Sequence, residues 1–128
     1  MHRVLLAAAL LLAGCDSISG PTSSFSREAS IPVGRTASIV EDVAVRFVEV
    51  TGDSRCPADA LCIQGGDAIV KLQVMVDGRH SDVELHTGNT RPVSTQGLTI
   101  ELLQLMPYPF SSGPIEPNDY EATIRVSR

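Results

Sequence analysis

The chain has 128 residues, with 10 basic and 15 acidic side chains and a formal net charge of −5. That sign repels nucleic acid and anionic headgroups, and without tryptophan the chain lacks both a basic, aromatic-laced patch and a stacking platform for carbohydrate. The length allows one domain with a modest core, and that core must be Val, Ile and Leu, because the aromatics are only Phe25, Phe47, Tyr108, Phe110 and Tyr120.

The chain begins with two basic residues, His2 and Arg3, and an apolar run over 4–12. A spanning helix needs roughly 20 apolar residues, so the run is too short to cross a bilayer. It suits the h-region of a secretory signal ending in small residues. Leu12-Ala13-Gly14-Cys15 matches the lipobox, and residues 1–14 therefore resemble a bacterial lipoprotein signal peptide. The resemblance implies that the Cys15 thiol takes a diacylglyceryl group, that a peptidase cuts before it, and that the new amine is acylated. Each buried acyl methylene adds roughly 0.8 kcal/mol, and two or more chains anchor stably. Asp16, next to Cys15, resembles the sorting signal that retains lipoproteins on the outer face of the cytoplasmic membrane. That face is the expected address, and the outer membrane is the alternative. A cleaved signal without lipid and an uncleaved N-terminal helix remain open as other readings. No cofactor is expected beyond the covalent lipid at Cys15.

Residues 15–24 read as the lipidated cysteine and a flexible tether, small and polar and interrupted by Gly20 and Pro21. From there to 128, alternation with period 2 dominates. Strands are predicted over 25–31, 35–40, 43–51, 68–77, 79–87, 97–106 and 119–127. In the third, Val48 and Val50 fall on the parity opposite to Val43, Val45 and Phe47, which predicts burial on both faces or a bulge. Asp77-Gly78 marks a two-residue hairpin of type I′. The Leu102-Leu103 doublet predicts a slip in the alternation of the sixth strand. The one helical candidate is a single turn over 57–61. About seven short strands separated by turn residues predict an all-β fold, a small antiparallel β-sandwich, with a partly open barrel as the alternative.

With Cys15 assigned to lipid, Cys56 and Cys62 remain, and an extracytoplasmic compartment favours one disulfide between them. In the chain-entropy picture so short a loop contributes roughly 2.4 kcal/mol. The spacing is not C-x-x-C, and no further ligands stand at zinc-finger distances. Two stretches are too long for simple turns: the disulfide loop over 52–66, and a proline loop over 107–118 containing Pro107, Pro109, Pro114 and Pro117. Stiff loops on a β scaffold are where contact surfaces lie. The candidate contact residues are Arg55 and Asp59 in the first loop and Tyr108 and Phe110 in the second.

Three chemical constellations compete with plainer readings. His80, Asp82, Glu84 and His86 share one face of the fifth strand and are metal-ligand types. At roughly 3.3 Å per residue the two histidines stand about 20 Å apart, so they cannot share an ion, and a solvated outer face is the plainer reading. Arg55 beside a bridged cysteine could be presented to a trypsin-like protease, or it could pair with Asp53 or Asp59. Asp53, Asp59 and Asp67 could bind calcium, but their spacing matches no EF-hand. The motifs G-x-S-x-G, S-x-x-K, H-E-x-x-H and G-x-G-x-x-G are absent from the sequence.

The stretch Asp53-Ser54-Arg55-Cys56-Pro57-Ala58-Asp59-Ala60-Leu61-Cys62-Ile63-Gln64-Gly65-Gly66-Asp67-Ala68 resembles a motif of small bacterial lipoproteins and secreted proteins of uncharacterised function. Tyr108-Pro109 and Asp119-Tyr120-Glu121-Ala122 are similar to that group more loosely. The group's pattern carries Trp-Ala-Gly after Cys-Ile, where this chain has Gln64-Gly65-Gly66. The resemblance implies an architecture and brings no activity, cofactor or partner. The expected function is a non-enzymatic interaction or structural module of the cell envelope, held to the membrane by lipid, with an unidentified envelope protein as partner and no nucleic acid. A periplasmic metal binder using the His80–His86 face and a protease inhibitor presenting Arg55 are the alternatives.

Overall fold

The computed structural model describes residues 23–128. Cys15, Asp16 and most of the tether lie outside the described residues. Eight strands follow in chain order: β1 (Ser26–Pro32), β2 (Thr36–Val40), β3 (Val43–Asp53), β4 (Ala68–Val76), β5 (Arg79–His86), β6 (Val93–Thr95), β7 (Leu98–Met106) and β8 (Glu121–Ser127). They form two four-stranded antiparallel sheets, ordered β1-β8-β7-β6 and β2-β3-β4-β5. The sheets stay separate, so the fold is the expected sandwich and not the barrel. Among the described residues no helix is long and apolar enough to cross a membrane.

Alternation builds the core. Ala68, Val70, Leu72, Val74 and Val76 of β4 are buried, as are Ala122, Ile124 and Val126 of β8, and the residues between them face outward or are only part-buried. Phe47 at the centre is fully buried, and no polar or charged side chain is buried among the described residues. Each large apolar side chain in such a core contributes roughly 1.5–3 kcal/mol.

Where the alternation breaks, the ladder bulges. β3 shifts register between Phe47 and Glu49 and again between Val50 and Gly52, which accounts for Val48. β7 shifts between Leu102 and Gln104, leaving Leu103 exposed and returning Leu105 to the core. The Asp77-Gly78 hairpin has φ of 49° and 77°, both left-handed as a type I′ turn requires.

Two local expectations are corrected. The predicted helical turn at 57–61 is a reverse turn, in which Ala60 N–H donates to Pro57 C=O at 3.1 Å. The helical turn forms instead at Pro117–Asp119, a single 3-10 turn. The eighth strand, β6, is three residues long with one apolar side chain, too little for alternation to register. It is held by the tight Gln96-Gly97 turn and by Thr95 Oγ1 donating to Ser81 Oγ at 2.9 Å.

The register defines two poles. Ser26 pairs with Ser127, Ser127 with Thr99, and Phe25 and Arg128 exchange backbone hydrogen bonds, all at one end. Arg128 also meets Asp42, whose carbonyl accepts from Asp77 N–H, so the β4–β5 hairpin lies at this pole too. At the other end Pro32 pairs with Glu121, Glu121 with Met106, and Asp53 with Ala68. The chain therefore enters the sandwich at one pole, while the disulfide and proline loops leave it at the other.

Candidate functional site

The two special loops are stitched together. Arg55, one residue before Cys56, turns its side chain inward along the end of β7. Its Nε and Nη2 donate to the two carboxylate oxygens of Asp53 at 2.9 and 2.7 Å. Its Nη1 donates to Leu105 C=O at 2.8 Å, and Nη2 also to Pro107 C=O at 2.9 Å. The guanidinium lies 5.7 Å from the Tyr108 ring centroid. A planar fork that bonds a carboxylate and two carbonyls at once is chemistry that lysine cannot copy. The pair is 9% and 12% exposed. Tyr120 closes the cluster, donating from its hydroxyl to Asp53 at 2.9 Å.

The electrostatics follow from that enclosure. Burial pushes the Asp53 carboxyl up, but the bonds from Arg55 and Tyr120 outweigh it and hold it below its ordinary value. Burial works against the Arg55 cation as well, and Asp53 more than restores it. The Tyr120 hydroxyl is pushed up to about 12, first by burial and then by its bond to Asp53.

A second stitch lies further out. Ala58 N–H donates to Pro109 C=O at 2.9 Å, and Asp59 accepts from the Ser111 N–H at 2.9 Å and from the Ser111 hydroxyl. These bonds hold the Asp59 carboxyl below its ordinary value. Cys56 and Cys62 are disulfide-bonded. At the root of the loop, Ser54 and Asp67 exchange hydrogen bonds, and the Asp67 carboxylate accepts from Gly88 N–H at 2.8 Å and meets His86. Gly66 passes so close to this root that a Cβ there would stand 1.5 Å from the Ser54 carbonyl oxygen. Only glycine fits, which gives the last glycine of the cysteine-loop motif a steric reason.

All four candidate contact residues thus reach one pole, in different states. Arg55 is an internal clamp and not a presented side chain, because its fork is taken up by Asp53 and two carbonyls. Asp59 is exposed but engaged by Ser111. Tyr108 and Phe110 are 50% and 55% exposed. Leu61 and Ile63, on either side of Cys62, are fully exposed and were not expected from alternation. The signal for them was their position: a loop closed by its own disulfide is too short to bury its own apolar side chains. Each leaves roughly 1.5–3 kcal/mol of burial unrealised.

The metal-ligand face is arranged differently from a metal site. His80 and His86 stand at opposite ends of β5, with Asp82 and Glu84 exposed between them. His86 Nδ1 meets Asp67 at 2.5 Å and its Nε2 meets Glu84 at 3.1 Å. Asp67 first, and Glu84 after it, raise the His86 pKa above its ordinary value, so the two carboxylates favour the charged form of the ring. Among the described residues no group of three or more His, Cys, Asp and Glu is placed to hold a metal ion. Asp53, Asp59 and Asp67 have separate partners and do not converge.

A cavity of about 270 Å³ opens beside the clamp, lined by Arg55, Gly66, Thr87, Leu103, Gln104 and Tyr108 among others. A larger and more open depression, about 620 Å³, lies at the other pole between Asp42 and the Asp77-Gly78 hairpin. Compared with known proteins, the chain matches no family model, no curated protein and no solved structure.

Proposed function

We propose that this chain is an interaction module of the cell envelope, anchored by lipid at Cys15 to the outer face of the cytoplasmic membrane, and that it works by binding and not by catalysis. Its contact surface is the pole where the disulfide and proline loops meet. The observation that carries this reading is the combination of exposure and rigidity at that pole. Leu61, Ile63, Tyr108 and Phe110 are left in water by a fold whose core is complete without them. The loops that carry them are fixed by a disulfide, a part-buried ion pair and cross-loop hydrogen bonds. Rigid loops lose little entropy on docking.

The address is tested by metabolic labelling with an alkyne-bearing fatty acid. The full chain should incorporate it and Cys15→Ala should not. Recovery of an unlabelled chain with Met1 intact would overturn the anchoring. The contact surface is tested by chemical cross-linking in intact cells. Tyr108→Ser with Phe110→Ser should abolish the adduct seen with the native chain, and an undiminished adduct would overturn the assignment.

A further inference from the structure

The loop pole narrows what can dock on it, taking the envelope-module reading as given. Leu61, inside the seven-residue ring closed by Cys56–Cys62, and Ile63, the first residue after it, are fully exposed. A convex apolar tip needs a concave receiver. A second copy would meet it with the same convex tip.

Charge narrows it again. The exposed ionic groups on the two loops are acidic, Asp59 and Glu116, and exposed Asp119 follows directly after the second. Arg55 is the only basic residue in either loop, and it is neutralised internally by Asp53. These carboxylates on the two loops attract basic side chains and repel anionic lipid headgroups, while Arg35 and Arg91 are exposed on the neighbouring turns.

Direction narrows it a third time. The chain enters the sandwich at Phe25, which is bonded to Arg128 at the far pole. The nine residues of β7 alone run roughly 30 Å from pole to pole. With the anchor proposed at Cys15, upstream of Phe25, the tip stands at the pole opposite the point of attachment.

We infer that the disulfide tip, with Leu61 and Ile63 as anchors and Tyr108 and Phe110 beside them, inserts into an apolar cleft with a Lys/Arg rim on an envelope protein that stands out from the anchoring membrane. Apolar anchors in a desolvated pocket carry most of the energy of such contacts, and the disulfide pre-organises them.

The test uses the full lipidated chain in living cells, with a photo-crosslinking residue placed at Leu61, Ile63, Glu41 or Asp77. The expected result is one protein adduct from positions 61 and 63 and none from 41 or 77. Mass spectrometry should place the linked peptide in a cleft with apolar floor and basic rim. With the cross-linker at Tyr108, Leu61→Ser with Ile63→Ser should cut the yield at least tenfold while the melting temperature of the chain stays the same. Adducts to lipid, to a second copy of this chain, or to a flat or acidic surface overturn the inference. Adducts from 41 or 77 alone overturn it together with the contact surface at the loop pole, and leave only the reading as an anchored binding module standing. No protein adduct from any of the four positions overturns both.

Discussion

Replacing Arg55 with alanine separates a clamp from a displayed side chain. A displayed arginine on the surface would change stability by about 0.5 kcal/mol at most. Here the side chain makes four hydrogen bonds, two to Asp53 and one each to the carbonyls of Leu105 and Pro107. Its removal leaves the Asp53 carboxylate 12% exposed and without a cation. Breaking a fully buried pair costs about 3–5 kcal/mol. Tyr120 still donates to Asp53, and water reaches part of the site, so the lower figure of about 2–3 kcal/mol applies. For a domain near 100 residues that lowers Tm by roughly 10–20 °C. Urea and thermal unfolding of the soluble chain from Asp16 onward, followed by circular dichroism at pH 7, measure it directly. Arg55→Lys should recover less than half of the loss, since a point charge cannot bond the carboxylate and both carbonyls together. A loss below about 1 kcal/mol for Arg55→Ala would refute the clamp.

Gly66→Ala should destabilise the domain by about 2 kcal/mol or more, since its Cβ collides with the Ser54 carbonyl, whereas Gly65→Ala, with open space around it, should be nearly neutral in the same melts. Equal effects at the two glycines would contradict the close approach. The His86 contact with Asp67 should give a pH-dependent contribution of about 0.5 kcal/mol, small because the two side chains are 35% and 36% exposed. The folded state holds the His86 proton more tightly than the unfolded chain, so the contribution is complete below the ordinary value of 6.5 and is lost as pH rises through the raised folded value. The stability gap between the native chain and His86→Gln should therefore narrow from pH 5.5 to pH 9, and a widening gap would contradict it. Asp53 and Asp67 are both held below 3.8, so what they contribute is complete above that value and fades as pH falls through their lower folded values. Acid unfolding monitored by fluorescence of a bound apolar dye should then begin below about pH 4, and onset above pH 5 would contradict it.

Most of the sandwich was legible because burial of one face forces period 2 on the residues. Val70, Leu72, Val74 and Val76 mark one such face, and the parity breaks at Val48 and Leu103 marked the bulges as well. β6 was illegible because Val93 is its one apolar residue and its place depends on Thr95 bonding Ser81 of β5, a contact between strands of different sheets. Arg55 illustrates a different limit. Asp53 is a sequence neighbour and its pairing was foreseeable, but the carbonyls of Leu105 and Pro107 are 50 and 52 residues away and reach it only once both sheets are packed. For the same reason the meeting of the two loops at one pole depends on strand order, which no local pattern carries. Leu61 and Ile63 show the converse case, in which exposure is set by a short ring that shelters neither its own Leu61 nor Ile63 just beyond it.

Polarity on the membrane ties these strands of reasoning together. Under the proposed anchoring at Cys15, the full chain, purified with its acyl groups and reconstituted into phosphatidylethanolamine–phosphatidylglycerol vesicles, can carry a fluorescent residue at Ile63 or at Asp77, with a quencher buried in the bilayer. Asp77 lies at the pole where the chain enters and should be strongly quenched, while Ile63 should fluoresce at nearly full intensity. Quenching at Ile63 equal to or greater than that at Asp77 would contradict a tip that faces away from its own membrane.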